Sequence, residues 1–546
     1  MTAVGDSAIG AGPGRGRESW WPAAPVAAFV ATVLVGAGVR WWQVSGRSPL
    51  SWNDTADLLD GSGAAWTSLE LWAGRRPPGA AVVLKLVGGD IDSYVRAQAA
   101  FAAVCWAVLA GSVATVVTGR VRWPLVVVVA GLSLTTPVTM WDRSVLSESL
   151  AVSALALVAA AVVQLARGVT WGRAVAVLAA SAVWLATRDS HAVVAIAGGA
   201  GLLVAAAALW RRSRRSPLRP PGEDGNGDAA SATPAAPAGD DRDAVAAMPG
   251  AVDGGDGDEG VAGPGSDDLA RARSRGIPGA VGAARRLAGL GGGAVVLGLL
   301  VVVGSAHGER HHFPTRNVYE VRVLPYPDRV AWFADRGMPQ AEVFAGPDAR
   351  VPHVEPGIPP VMFVGDDDAE LRPWLDWVES DGRAAFARYV ATHPLYLVSE
   401  PLRSPERTFN NALGDRAFYR PLDVPRVPLV DSVLALPTAV VLLVAALFGG
   451  WALGWGRWTP GLAAGAALAA LAVPHGLVAW HSDGMETARH LVVPALQLHL
   501  GVLLVVVGVL SGEAASGRPA AQTSGKPRSR LGRSSPPSAS TTVPVT

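Results

Sequence analysis

Only one cysteine, Cys105, occurs in 546 residues. That excludes a disulfide within the chain and any cysteine-based metal centre. Charge is also scarce. Asp, Glu, Lys and Arg make up 17% of the chain, and the formal net charge is +1. The basic residues sit in short clusters rather than in one patch, which gives no case for nucleic acid as a partner. Aromatic residues are missing from Arg211 to His312. No metal or other cofactor is called for, and metal dependence is left open. His307, Glu309, His311 and His312 have no second ligand cluster, so they read as a solvated stem. The run Asp366-Asp367-Asp368 lacks the spacing and glycine of an EF-hand loop and reads as a surface turn. No G-x-S-x-G lies within an apolar run, which argues against an intramembrane serine protease.

What the chain has in quantity is apolar sequence, half of all residues. It lies in runs of about 18–25 residues, the length a helix needs to cross the hydrocarbon core of a bilayer. Many of the 20 tryptophans, among them Trp41, Trp42, Trp141, Trp171 and Trp480, fall at run ends, as in interfacial aromatic belts. Spans are expected at 22–39, 94–117, 123–139, 145–165, 174–186, 191–210, 290–305, 432–455, 462–478 and 487–510. The first run is too long for a signal peptide and no cleavage site follows it. The stretch 78–88 is apolar but too short to span, and reads as re-entrant or interfacial. The fold class is therefore an all-α polytopic membrane protein with about ten transmembrane helices.

Lys and Arg near the span ends set an orientation with both termini in the cytoplasm, in the cytoplasmic membrane. This divides the chain into a cytoplasmic tail (1–21), a membrane domain of six spans (22–210) with a first outer loop (43–92), and a disordered cytoplasmic loop (211–289). The seventh span (290–306), a small extracytoplasmic domain (307–430), the last three spans (431–510) and a disordered cytoplasmic tail (511–546) follow. The disorder of 211–289 is inferred from its Gly, Pro, Ala and Asp content, too poor in apolar residues to offset the entropy of ordering.

This topology gathers polar groups on one face. The first outer loop carries Asp54, Asp57, Arg75, Arg76 and Lys85, and the second Asp142 and Arg143, with Glu148 one turn into the next span. The third holds Arg188, Asp189 and His191, and the last Asp483, Glu486, Arg489 and His490. Each has a plain alternative as a solvated, snorkelling or ion-paired residue. Four separate loops converging on acids and cations point instead to a site.

An acid soon after span one, "RRPPG" (75–79), "SVLSESL" (144–150), "ATRDSH" (186–191) and "ETARHLVVP" (486–494) together resemble the GT-C superfamily of polytopic glycosyltransferases. The protein mannosyltransferases and aminoarabinose transferases are nearest in style. The resemblance covers residues 22–210 and 432–510, with His490 where the family usually has a tyrosine. The segment 317–339 resembles outer domains of actinobacterial membrane proteins. The resemblance implies a polyprenyl-phosphate-linked sugar donor and an envelope glycan, lipid or protein acceptor. It makes Asp54 the catalytic base, with Asp57 as the fallback. Arg75, Arg76, Lys85, Arg188 and Arg489 become candidate phosphate ligands, and Arg143, Glu148, His191, Asp483 and Glu486 complete the expected substrate-binding set. The competing readings are a secondary transporter or lipid flippase, and a non-catalytic envelope scaffold. The bare span interiors and the lack of internal repeats weigh against a transporter.

Overall fold

A computed structural model describes residues 23–117, 119, 121–215, 266–308, 310, 312–345, 349–354, 360–365, 368–403, 460–484 and 487–516. Every regular element among them is helical, and two isolated β-bridges are the only strand-like pairings. Among the described residues seven helices are long and apolar enough to cross a membrane: α1 (Ala23–Val44), α5 (Ile91–Val116), α8 (Glu148–Ala166), α10 (His191–Arg215), α11 (Ser266–His307), α18 (Pro460–Ser482) and α19 (Thr487–Ser516). The chain is thus a helical, multi-pass membrane protein.

Two expected spans differ from this picture, and a third is not described. The run 123–139 is two helices, α6 (Arg122–Ser133) and α7 (Thr136–Thr139), and a short 3₁₀ turn extends α7 to Arg143. The two halves meet at a 53° bend. Pro137 explains the break: it has no N–H to give the carbonyl of Ser133, four residues back. That carbonyl instead accepts from the Arg40 guanidinium of α1, at 2.6 Å. The run 174–186 is α9 (Trp171–Leu185), only 15 residues long. At about 1.5 Å per residue it falls short of the roughly 30 Å hydrocarbon core. The run 432–455 lies outside the described residues.

The segment 211–289, expected to be a loop, is helical at both of its ends. Helix α10 continues to Arg215, and α11 begins at Ser266. Residues 269–286 are rich in Ala and Arg, both strong helix formers, and two acids stand at the helix start. Averaging them with the acidic, Gly-rich stretch before them hid that signal.

Helix α8 sits at the centre of the membrane layer. Its Ala-rich surface is buried on nearly every side, as expected for a helix apolar all round. Leu155 and Val163 of α8, Leu109 and Val113 of α5, Val129 of α6 and Leu500 of α19 share one core. Between α11 and α18 the chain forms a layer of shorter helices. These include α12 (His312–Arg322), α13 (Pro327–Ala334), α14 (Glu342–Ala345), α15 (Arg372–Trp377), α16 (Arg383–Thr392) and α17 (Pro394–Arg403). They enclose a second core of Tyr319, Phe333, Trp374, Phe386, Tyr389 and Tyr396. The chain enters α16 through a wider, π-type turn, Val378–Gly382. The Tyr319 hydroxyl donates to the Gly382 carbonyl at 2.9 Å and fixes that turn. The Asp368 end of the acidic run pairs with Arg350 at 2.8 Å, and hydrogen bonding from that guanidinium lowers the carboxyl's pKa.

Candidate functional site

Four short connections, all at one end of the helices, build the site. The first is α2 (Asn53–Gly63), which carries Asp54. Its start is pinned to the segment ahead of α8. Leu50 exchanges backbone hydrogen bonds with Arg143 (2.8 Å) and Val145 (2.9 Å), and the Thr55 hydroxyl donates to the Val145 carbonyl at 3.2 Å. The same segment is held from behind by α5. The Tyr94 hydroxyl donates to Leu146 O at 2.7 Å, and Gln98 donates to the carbonyls of Asp142 and Ser144, both at 2.8 Å. Asp54 and Glu148 therefore share one frame.

The "RRPPG" element ends at Gly79 for a local reason. The Gly79 amide donates to Ala186 O at 2.7 Å, and a Cβ there would lie 2.8 Å from that same oxygen. Only glycine lets α4 (Pro78–Leu86) approach the end of α9 so closely. The contact ties Arg75 and Arg76 to Thr187 and Arg188. Gly484 acts alike on the far side: a Cβ would lie 2.3 Å from Asn317 O. Arg322 of α12 clasps that loop, donating to Asp483 O at 3.3 Å and to the Thr487 hydroxyl at 3.2 Å, with Trp480 beneath it at 4.6 Å. Burial lowers the Arg322 pKa to about 10, against the pull of Tyr396, Glu400 and Asp483.

The charged groups form one continuous chain. Asp54 Oδ1 accepts from Arg76 at 2.7 Å, and Asp54 Oδ2 from Arg489 at 2.6 Å. Arg489 also pairs with Glu148, which is fully buried and pairs in turn with Arg188. Arg188 Nη1 lies 3.0 Å from His490 Nδ1. Arginine has only donors, so Nδ1 is the accepting nitrogen in this contact and Nε2 carries a hydrogen. Nε2 lies 3.2 Å from Asp483 Oδ2, and Asn317 donates to Asp483 Oδ1 at 3.2 Å. Separately, Arg76 donates to Asp57 at 2.9 Å, and Arg310 to Asp189 at 2.8 Å and to Gly74 O at 2.6 Å.

These groups border a cavity of about 580 Å³ between the ends of the long helices and the layer of short ones. Asp54, Arg75, Arg76, Arg188, Asp483 and Arg489 all line it. Its described lining holds six arginines and three acids, so an anion is the favoured guest. No protein-family model, curated protein or solved structure matches this chain. The site therefore stands on its own geometry.

Several expected site residues lie elsewhere. Glu148 does not pair with Arg143; Arg143 donates to Ser48 O at 3.1 Å and is not part of the lining. Lys85 turns away, donating to Ser62 O at 3.0 Å and resting 5.4 Å from the Trp66 ring. His191 is fully buried and stacked on Trp184 with ring centroids 4.1 Å apart, away from the cavity. Asp57 touches Arg76 from outside the lining. Asp142 is no loop acid: it is buried against Arg40 at 2.7 Å and accepts from Ser149 at 2.5 Å. Glu486 lies outside the described residues. Sequence reasoning missed Arg310 and Arg383, both on the lining. The histidines around Arg310 drew attention away from it, and nothing in the local sequence marks Arg383.

Proposed function

We propose that this protein is a membrane glycosyltransferase of the GT-C kind, moving a sugar from a polyprenyl-phosphate donor to an extracytoplasmic acceptor. In this reading the cavity opens on the outer side of the cytoplasmic membrane, both termini are cytoplasmic, and the chain has about ten spans. What carries the reading is the meeting of Asp54, Arg76, Arg188 and Arg489, from segments far apart in sequence, around one cation-rich cavity at the ends of membrane helices. A lipid phosphate with its tail in the bilayer would be presented there.

The chemistry assigns roles. The acceptor hydroxyl attacks the anomeric carbon, the bond from that carbon to the phosphate oxygen breaks, and the lipid phosphate leaves. Asp54 takes the hydroxyl proton. Both its oxygens are paired, but each keeps a second lone pair for that purpose. Arg76 uses Nε and Nη2 on Asp57 and Asp54, and its remaining N–H groups are available to phosphate oxygens. Arg489 and Arg188 supply fixed positive charge beside the departing phosphate, and Glu148 holds both in place. The test is direct. Purified protein is offered a panel of polyprenyl-phosphate sugars, and release of the lipid phosphate is followed. Turnover of one donor supports the reading, and inertness towards all of them, with the protein folded, rejects it.

A further inference from the structure

The arginines of the cavity are not equivalent. Arg76, Arg188, Arg310 and Arg489 are each committed to a carboxylate. Arg75 and Arg383 also line the cavity, both are exposed, and neither has a partner among the described residues. The four committed cations are matched by four acids, Asp54, Asp57, Glu148 and Asp189. The surplus positive charge therefore resides on Arg75 and Arg383.

Arg383 belongs to the layer of short helices rather than to the membrane helices. The π-type turn Val378–Gly382 leads into α16, so that Arg383, Phe386, Ala387 and Val390, spaced as one helix face, present themselves to the cavity. This face shares the cavity lining with Asp54, Arg188 and Arg489. It combines an apolar strip of Ala387, Val390 and the largely buried Phe386 with a guanidinium that has no partner among the described residues. That pairing suits a sugar ring bearing an oxyanion: the ring packs on the apolar strip and the guanidinium takes the anion in its fork.

We infer that the Arg383 face, assisted by Arg75, is the acceptor subsite, and that the acceptor is an acidic saccharide carrying a carboxylate or a phosphate. The inference rests on the transferase reading for the word acceptor, but not for the binding itself. The donor's phosphate belongs among the committed arginines around Asp54, and Arg383 should not touch it.

The full-length protein in nanodiscs allows a binding test with four probes. Methyl β-glucuronide and glucose 6-phosphate carry the two oxyanions, methyl β-glucoside is the neutral control, and a polyprenyl phosphate stands for the donor side. At least one charged saccharide should bind at least about tenfold more tightly than the glucoside. Arg383→Ala should remove that preference, Arg383→Lys should restore part of it, and polyprenyl phosphate binding should stay within about twofold. Arg383 is exposed and has no partner among the described residues, so neither change should lower the unfolding midpoint. Equal binding of charged and neutral saccharides by the unaltered protein would overturn the inference. So would an Arg383→Ala protein that loses polyprenyl phosphate as severely as the charged sugar. If the preference holds while no donor is turned over, the acidic-saccharide site stands and the transferase reading fails.

Discussion

Arg489 donates to Asp54 at 2.6 Å although 435 positions separate them, and the same guanidinium also holds the fully buried Glu148. One side chain near the end of the chain thus joins the first polar connection to the start of the central helix α8. Arg489→Ala removes both links and leaves Glu148 to Arg188 alone. Breaking a buried pair of this kind costs about 3 kcal/mol or more. A clear fall in the unfolding midpoint in detergent is expected. Arg489→Lys should recover little, because a single ammonium cannot bridge two carboxylates as a planar fork does. Full recovery by lysine would show that charge alone matters here.

The Arg40–Asp142 pair predicts the opposite kind of behaviour. It is buried, and apart from the cavity. Asp142→Leu strands a guanidinium in an apolar setting and should sharply reduce folded protein in the membrane. The double change Arg40→Met with Asp142→Leu should restore much of it, since a buried ion pair is often replaceable by apolar residues of similar volume. Rescue by the double variant, measured as monodisperse yield, marks the pair as structural. Two inactive but well-folded single variants would contradict that.

Gly79 is a sensitive test of how the site is assembled. Gly79→Ala places a methyl 2.8 Å from Ala186 O, where backbone on both sides resists movement. Arg75 and Arg76 should shift relative to Arg188, and donor binding should weaken by about tenfold or more, as a misplacement near 1 Å commonly costs. Ala at Gly63, where a Cβ meets nothing within 4 Å, is the control and should be silent in the same binding assay.

Orientation is open to a simple assay. Reporter fusions after Arg215 and after Ser511 should give a cytoplasmic signal, and an insertion at Gly337, a turn with φ of +96°, an external one. A cytoplasmic signal at Gly337 would place the cavity on the wrong face for a lipid-linked donor.

The long spans were legible because twenty apolar residues in a row have few other fates, and seven of them form helices of that length. The break at Pro137 was not, because it depends on Arg40 from another helix to take the freed carbonyl. Asp54, Arg188 and Arg489 were legible as polar residues left over at span ends. Which partner each one chose was not: Glu148 is five residues from Arg143 yet pairs with arginines 40 and 341 positions away. His191 follows Arg188 in the same loop but begins a helix whose packing turns it onto Trp184. Arg383 escaped notice because its place on the cavity is set by the π-type turn and by Tyr319, which no local pattern reveals.

The transferase proposal turns on Asp54. Asp54→Asn keeps the size of the side chain and a hydrogen-bond acceptor for one arginine, but it cannot take a proton from an acceptor hydroxyl. With a donor identified, single-turnover rate and donor affinity are measured together on the purified variant. The rate should fall by roughly 10²–10⁴-fold while donor affinity changes little. An Asp54→Asn protein that turns over donor at close to the normal rate would contradict the proposal.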